Sequence, residues 1–222
     1  VLFRSGLKLD RDIIFLATPD EEVGGNFGAA WFAKNQKDLV ADAEFLINEG
    51  FCIDAATGGK PKYWGVDVAE KNLLWLGLKT KGLAGHASMP QEDSANNRLI
   101  KALARLVENP PPLTLLPGVQ EFYEKIAGTE SDEVKGLYKQ IVQSVEKSKT
   151  DKATLELLKK DKLKSAMLAN TVSITVLKAG YKTNVIPAEC SAELDCRLLP
   201  GVKPEDFVKE VKDILKDESV EV

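Results

Sequence analysis

From Asn72 onward, periodic segments follow one another in an order that few folds accept. Asn72–Gly82 reads as a long strand that alternates in its second half. Ser94–Val107 reads as an amphipathic helix, with apolar residues at 99, 100, 103, 106 and 107 on one face. Asn170–Leu177 and Ala188–Leu199 both alternate with period two. Behind Pro204, Glu205–Lys216 reads as a helix with Phe207, Val208, Val211, Ile214 and Leu215 on one face. A last strand begins near Val220. The order β, α, β, β, α, β is the split βαβ, ferredoxin-like arrangement, an antiparallel sheet backed by two helices.

The pattern is interrupted once. Asn109-Pro110-Pro111-Pro112 stops the first helix. A Lys- and Glu-rich stretch over about 110–168 follows, with Phe122, Ile126, Leu137, Ile141 and Val145 at helical spacings. It reads as a helical insertion into the domain, its charges a solvated face.

The first seventy or so residues have another character. Ile13-Ile14-Phe15-Leu16 reads as a buried strand and Asn26–Lys34 as a helix with Asn26 near its cap. Ala43–Phe51 reads as a second buried strand, Gly58-Gly59-Lys60-Pro61 as a turn, and Tyr63–Ala69 as a further strand or strand pair. Strand–helix–strand order implies an α/β unit. The division expected is therefore 1–71, part of an α/β domain, and 72–222, a smaller α+β domain.

Between the first strand and its helix stand Asp20-Glu21-Glu22, followed by Gly24-Gly25; Glu49 ends the second strand beside Gly50. Open α/β sheets place ligand sites at such strand ends. Adjacent carboxylates repel, and a metal ion is the usual compensation. The plainer alternatives are a solvated acidic loop and an exposed strand-end acid. His86, the only histidine, lies in the small-residue loop Leu83–Pro90. A lone histidine is more often structural or simply exposed. Arg197 could be an outward strand residue paired to a neighbouring acid. Gly24–Gly28 could be misread as a phosphate loop, but the rest of a nucleotide fingerprint is absent.

Composition excludes some classes. With 44% hydrophobic and 29% charged residues, the chain reads as a soluble globular protein. A formal net charge of -4 offers no basic surface for nucleic acid. No apolar run approaches a membrane span. The three cysteines, Cys52, Cys190 and Cys196, make no metal-type pair, and reduced thiols in a cytoplasmic setting fit them best. With one histidine and neither CxxC nor HExxH, a complete zinc site from this chain alone is not expected. The abrupt Val1–Ser5 and the strand-like Ser219–Val222 read as the ends of an interior fragment.

Five segments occur in order and at compatible spacings: Thr18–Gly25, Asn48-Glu49-Gly50, Gly85-His86-Ala87-Ser88, Thr183–Ala188 and Asp195–Gly201. Together they resemble the co-catalytic zinc hydrolases that include aminoacylase, Gly-Xaa carboxypeptidase, glutamate carboxypeptidase and succinyl-diaminopimelate desuccinylase. The resemblance spans nearly the whole chain. It implies part of a zinc-peptidase-like α/β catalytic domain plus a ferredoxin-like lid or dimerisation domain. It implies Glu21 as general base, Glu22 and Glu49 as ligands of two zinc ions, and His86 as an oxyanion-stabilising residue reaching a partner subunit's site. Asn184 resembles the substrate-binding Asn, and Arg197 the Arg that holds a substrate carboxylate. The implied activity is metal-assisted hydrolysis of an amide bond in a dipeptide or N-acyl amino acid by a homodimer. The family's upstream His-x-Asp, bridging Asp and downstream His have no counterpart here, so only two of about five ligands are expected. The alternative is a non-catalytic dimerisation or regulatory module derived from such a hydrolase.

Overall fold

The computed structural model describes residues 4–50, 53–55, 58–146, 158 and 162–222. Phe51, Cys52 and parts of the insertion lie outside the described residues. Two compact units are present, Val1–Gly50 and Phe51–Val222.

The second unit is built on one antiparallel sheet. Strands β3 (Asn72–Lys81), β7 (Glu189–Leu198) and β5 (Thr171–Ala179) lie in the order β3-β7-β5. β3 and β7 pair along their whole lengths, from Asn72 opposite Leu198 to Lys81 opposite Glu189. β5 covers the other edge of β7, from Thr171 opposite Arg197 to Ala179 opposite Cys190, with a register shift between Ile174 and Val176. At the free edge of β3, Lys79 and Glu221 exchange backbone hydrogen bonds of 2.9 and 2.8 Å. The spatial order is thus the C-terminal segment, β3, β7, β5, as the split βαβ reading requires.

Alternation explains the layering. In β7, Cys190, Ala192, Leu194, Cys196 and Leu198 are buried, while Glu189, Glu193 and Arg197 are exposed. Helices α2 (Ala95–Glu108) and α6 (Pro204–Leu215) cover the apolar face. Leu99, Ala102, Leu103 and Leu106 from α2 meet Phe207, Val211 and Leu215 from α6 over Leu78, Leu194 and Leu198. α2 starts at Ser94, whose hydroxyl accepts the Asn97 N–H at 3.3 Å. Ile100 and Val107, expected on the packed face, are 63% and 67% exposed. The buried stripe instead runs through Ala95, Leu99, Ala102, Leu103 and Leu106. Small alanines let the helix lie close on the sheet and rotate those two residues outward.

The insertion forms a second core. Helices α3 (Pro117–Ala127), α4 (Asp132–Glu146) and α5 (Lys162–Ala166) lie between α2 and β5. Tyr123, Ile126, Ile141, Val142, Val145, Leu158 and Leu168 are buried together. Hairpin β1 (Ile53–Ala55) and β2 (Pro61–Trp64) packs on it: Tyr63 meets Phe122 edge-on at 6.1 Å, and Lys62 donates to both oxygens of Glu130 at 3.0 Å. Residues 66–69, expected as strand, are irregular.

The first unit departs most from expectation. Ile13–Leu16 and Phe45–Ile47 are not paired strands; Phe15 is 91% and Ile47 97% exposed. A buried parallel strand needs neighbours on its edges and layers on both faces. Among its described residues this unit supplies one short α-helix, α1 (Ala29–Asn35), and two 3-10 turns, so apolar content alone makes no ladder. The helix begins after Gly28, not at Asn26.

Thr80 gives a test of the main core. It is fully buried, and its hydroxyl donates to the Ala95 carbonyl at 2.8 Å, pinning the start of α2 to β3. Thr80→Val removes that bond without changing volume and should lower unfolding free energy by about 1–2 kcal/mol in denaturant titration. Ile100→Ala on the outer face should change it by less than about 0.5 kcal/mol.

Candidate active-site residues

The acidic cluster sits on a tight turn. Asp20 has a left-handed backbone, φ 59°, and Glu21–Val23 form a single 3-10 turn closed by Gly24 at φ 106° and Gly25 at φ 66°. The Asp20 carbonyl accepts from Val23 and Gly25, and its Oδ2 accepts the Phe27 N–H at 2.8 Å. Gly28 is needed for close approach, since a Cβ there would lie 2.0 Å from the Pro19 oxygen. Asp20 is therefore the structural acid of the three, although its Oδ1 is buried without a hydrogen-bond partner. Glu21 and Glu22 are exposed and take part in no described ion pair. Glu49 is also exposed.

Carboxylates suit zinc chemically, but no group of three or more His, Cys, Asp or Glu comes together among the described residues. These residues do not amount to a metal centre. The cysteines add none: Cys190 and Cys196 are buried and free, and burial pushes the Cys196 thiol up to about 11, with the Asp195 charge contributing.

His86 and Asn184, far apart in sequence, are brought together. The short strands β4 (Gly85–His86) and β6 (Val185–Ile186) pair with His86 opposite Val185. The Ala87 N–H donates to the Asn184 carbonyl at 3.1 Å. Both side chains are exposed. His86 Nδ1 accepts the Ser88 N–H at 3.2 Å and lies 2.7 Å from the Ser88 hydroxyl. With Nδ1 accepting the Ser88 N–H, the neutral tautomer carries its proton on Nε2, which is then a donor on an exposed side chain.

Arg197 lies elsewhere. The His86–Asn184 ladder leaves the sheet where Gly82 donates to the Ala188 carbonyl. From Glu189 to Arg197 the chain rises about 26 Å along β7 at ~3.3 Å per residue. Arg197 stands on the open face of the sheet, opposite Leu73 on one side and Thr171 on the other. Its Nε donates to Asp195 Oδ1 at 2.7 Å and its Nη2 to Oδ2 at 3.1 Å. Asp195 Oδ2 also accepts the Trp75 indole N–H at 3.1 Å. The arginine hydrogen bond, with help from the indole, holds the Asp195 carboxyl below its usual range.

Trp75, Asp195 and Lys71 were not singled out by sequence. Alternation puts Asp195 and Arg197 on one face, but the cross-strand partner needs the register. Lys71, half-buried just before β3, donates to the carbonyls of Ala166 and Ala169 at 3.0 and 2.7 Å and to the Thr171 hydroxyl at 3.3 Å. These neutral acceptors carry no compensating charge. Burial first, and then the nearby Arg197 charge, lower its amine to about 8. Unfolded, the amine titrates near 10.5, so between about 8 and 10.5 the unfolded chain binds more protons. The contribution of Lys71 to stability therefore rises with pH across that window. NMR titration of the 13C-dimethylated amine should give a midpoint near 8, which Arg197→Ala should move upward.

Residues 68–222 match the family described as peptidase dimerisation domain. Among curated relatives, "Probable carboxypeptidase S-like 2" of Dictyostelium discoideum is 28% identical, covering 100% of this chain and 42% of its own. The N-fatty-acyl-amino acid synthase/hydrolase PM20D1 of Xenopus tropicalis is 26% identical, covering 100% of this chain and 43% of its own. Aminoacylase-1 of Mus musculus is 27% identical, covering 93% and 39%. The chain thus spans less than half the length of these relatives. A ferredoxin-like sheet with two helices on one face, carried over residues that match this dimerisation domain, makes the chain a member of the M20 peptidase family.

Proposed function

We propose that this chain is part of a homodimeric di-zinc hydrolase that cleaves the amide bond of a dipeptide or N-acyl amino acid. Residues 1–71 contribute to its catalytic domain and 72–222 form its lid and dimerisation domain. The observation that supports this most is that a carboxypeptidase S-like relative aligns across 100% of the chain, acidic turn included, and an aminoacylase across 93% of it. Glu22 and Glu49 are two of the zinc ligands, and the others come from residues outside this chain. Bound zinc supplies a Lewis acid that makes water a nucleophile at neutral pH.

The chain's own residues then divide the work. Glu21, in no ion pair among the described residues and on an exposed turn, accepts a proton from the attacking water and passes it to the leaving amine. His86 Nε2 donates to the oxyanion in the partner copy's site. The long separation of His86 and Asn184 from Arg197 along β7 supports giving the two ends of the domain to different sites. Asn184 hydrogen-bonds the substrate, and Arg197 holds its carboxylate.

Glu21→Gln in the full-length protein should lower turnover by about 10²–10⁴-fold with zinc content unchanged. Unchanged turnover would refute the base assignment. The 222-residue chain alone, lacking a metal cluster among its described residues, should bind zinc weakly and cleave no amide. Calorimetry showing tight, stoichiometric zinc would contradict the incomplete ligand set.

A further inference from the structure

We propose that Trp75 and Asp195 are positioning residues, which fix the Arg197 guanidinium so that one of its two donor edges faces a substrate carboxylate. The proposal rests on the reading of Arg197 given above and adds to it the device that aims the arginine. A guanidinium offers two bidentate edges, Nε with Nη2 and Nη1 with Nη2. Asp195 occupies the first, at 2.7 and 3.1 Å. The described hydrogen bonds place no protein acceptor on the second.

Asp195 and Arg197 are on the same strand and the same face, so their ion pair joins no separate elements. Exposed pairs of this kind contribute about 0–1 kcal/mol to folding. What anchors the pair is the neighbouring strand. Trp75 stands directly opposite Asp195 in the β3–β7 register, and its indole N–H reaches Oδ2 at 3.1 Å. That bond sets the plane of the carboxylate, and the carboxylate sets the plane of the guanidinium. Trp75 is 73% exposed, so it fills no core. A large aromatic held on an open sheet face by one hydrogen bond to a carboxylate orients that carboxylate. The ordering matters because a free arginine side chain loses rotamer entropy on capturing a ligand, whereas a fixed one does not.

The test uses the full-length hydrolase, with N-acetyl-L-leucine and its carboxamide as paired substrates. Trp75→Phe removes the indole N–H and keeps the aromatic surface. KM for the free acid should rise about 3–10-fold with kcat unchanged, as expected for loss of one orienting hydrogen bond. KM for the carboxamide should not move. Arg197→Ala is the control. If it raises the free-acid KM and Trp75→Phe does not, the positioning role is overturned. If Arg197→Ala leaves the free-acid KM unchanged, the carboxylate role of Arg197 falls, and the positioning role with it. A second measurement needs no turnover: the Arg197 Nε–H NMR signal of the 222-residue chain should exchange with water several-fold faster in Trp75→Phe. Equal exchange rates would also overturn the proposal.

Discussion

The ladder between β3 and β7 is the interaction on which the rest of the second unit depends. Strands more than a hundred residues apart in sequence pair without a break from Asn72 to Lys81. This central pairing creates the apolar face that α2 and α6 cover. It sets Trp75 opposite Asp195 and Leu73 opposite Arg197. It also fixes the two ends of the domain, with the His86–Asn184 ladder beyond one end and Arg197 near the other. A slip of one residue would exchange the buried leucines for the charged row and lose both the core and the arginine's support.

The helical insertion is tolerated because it brings its own core. Closing a longer loop between α2 and β5 costs little, since the entropy grows only with the logarithm of length. Tyr123 and its neighbours bury their apolar side chains together, and the β1–β2 hairpin docks on that surface through Tyr63 and the Lys62–Glu130 pair. One electrostatic feature marks where insertion and sheet meet. Lys71 is bonded to the carbonyl of Ala166 at the end of α5, to that of Ala169 in the link after it and to the first residue of β5, so an amine with no carboxylate among its described partners bridges the two.

Legibility differed sharply between the two units. In the sheet domain, period-two alternation along 188–199 and helical periodicity in 94–107 and 205–216 were enough to order the elements, since each buries its own face locally. They did not reveal that α2 is rotated by its alanines, which leaves Ile100 and Val107 outside. In the first unit the apolar runs read as strands, yet Ile13–Leu16 and Phe45–Ile47 stay unpaired and exposed. Hydrophobicity says that a segment can be buried, and pairing decides whether it is. The acidic turn was readable because Gly24, Gly25 and Gly28 mark its backbone. The depth of Asp20 was not, because it depends on the return of the chain at Phe27 and Gly28.

The sequence by itself determined the split βαβ order, the place of the insertion, the resemblance to a metallohydrolase and the short set of candidate residues. These follow from local periodicity and from motifs of adjacent residues. Only the tertiary structure decided which of those residues meet. It joined His86 to Asn184 through a two-residue ladder, tied Arg197 to Asp195 and Trp75, and lowered the Lys71 amine by burial. It also left Glu21, Glu22 and Glu49 outside any metal cluster among the described residues. The reason is physical: cross-strand register and burial are properties of pairs far apart in the chain, and no local pattern carries them.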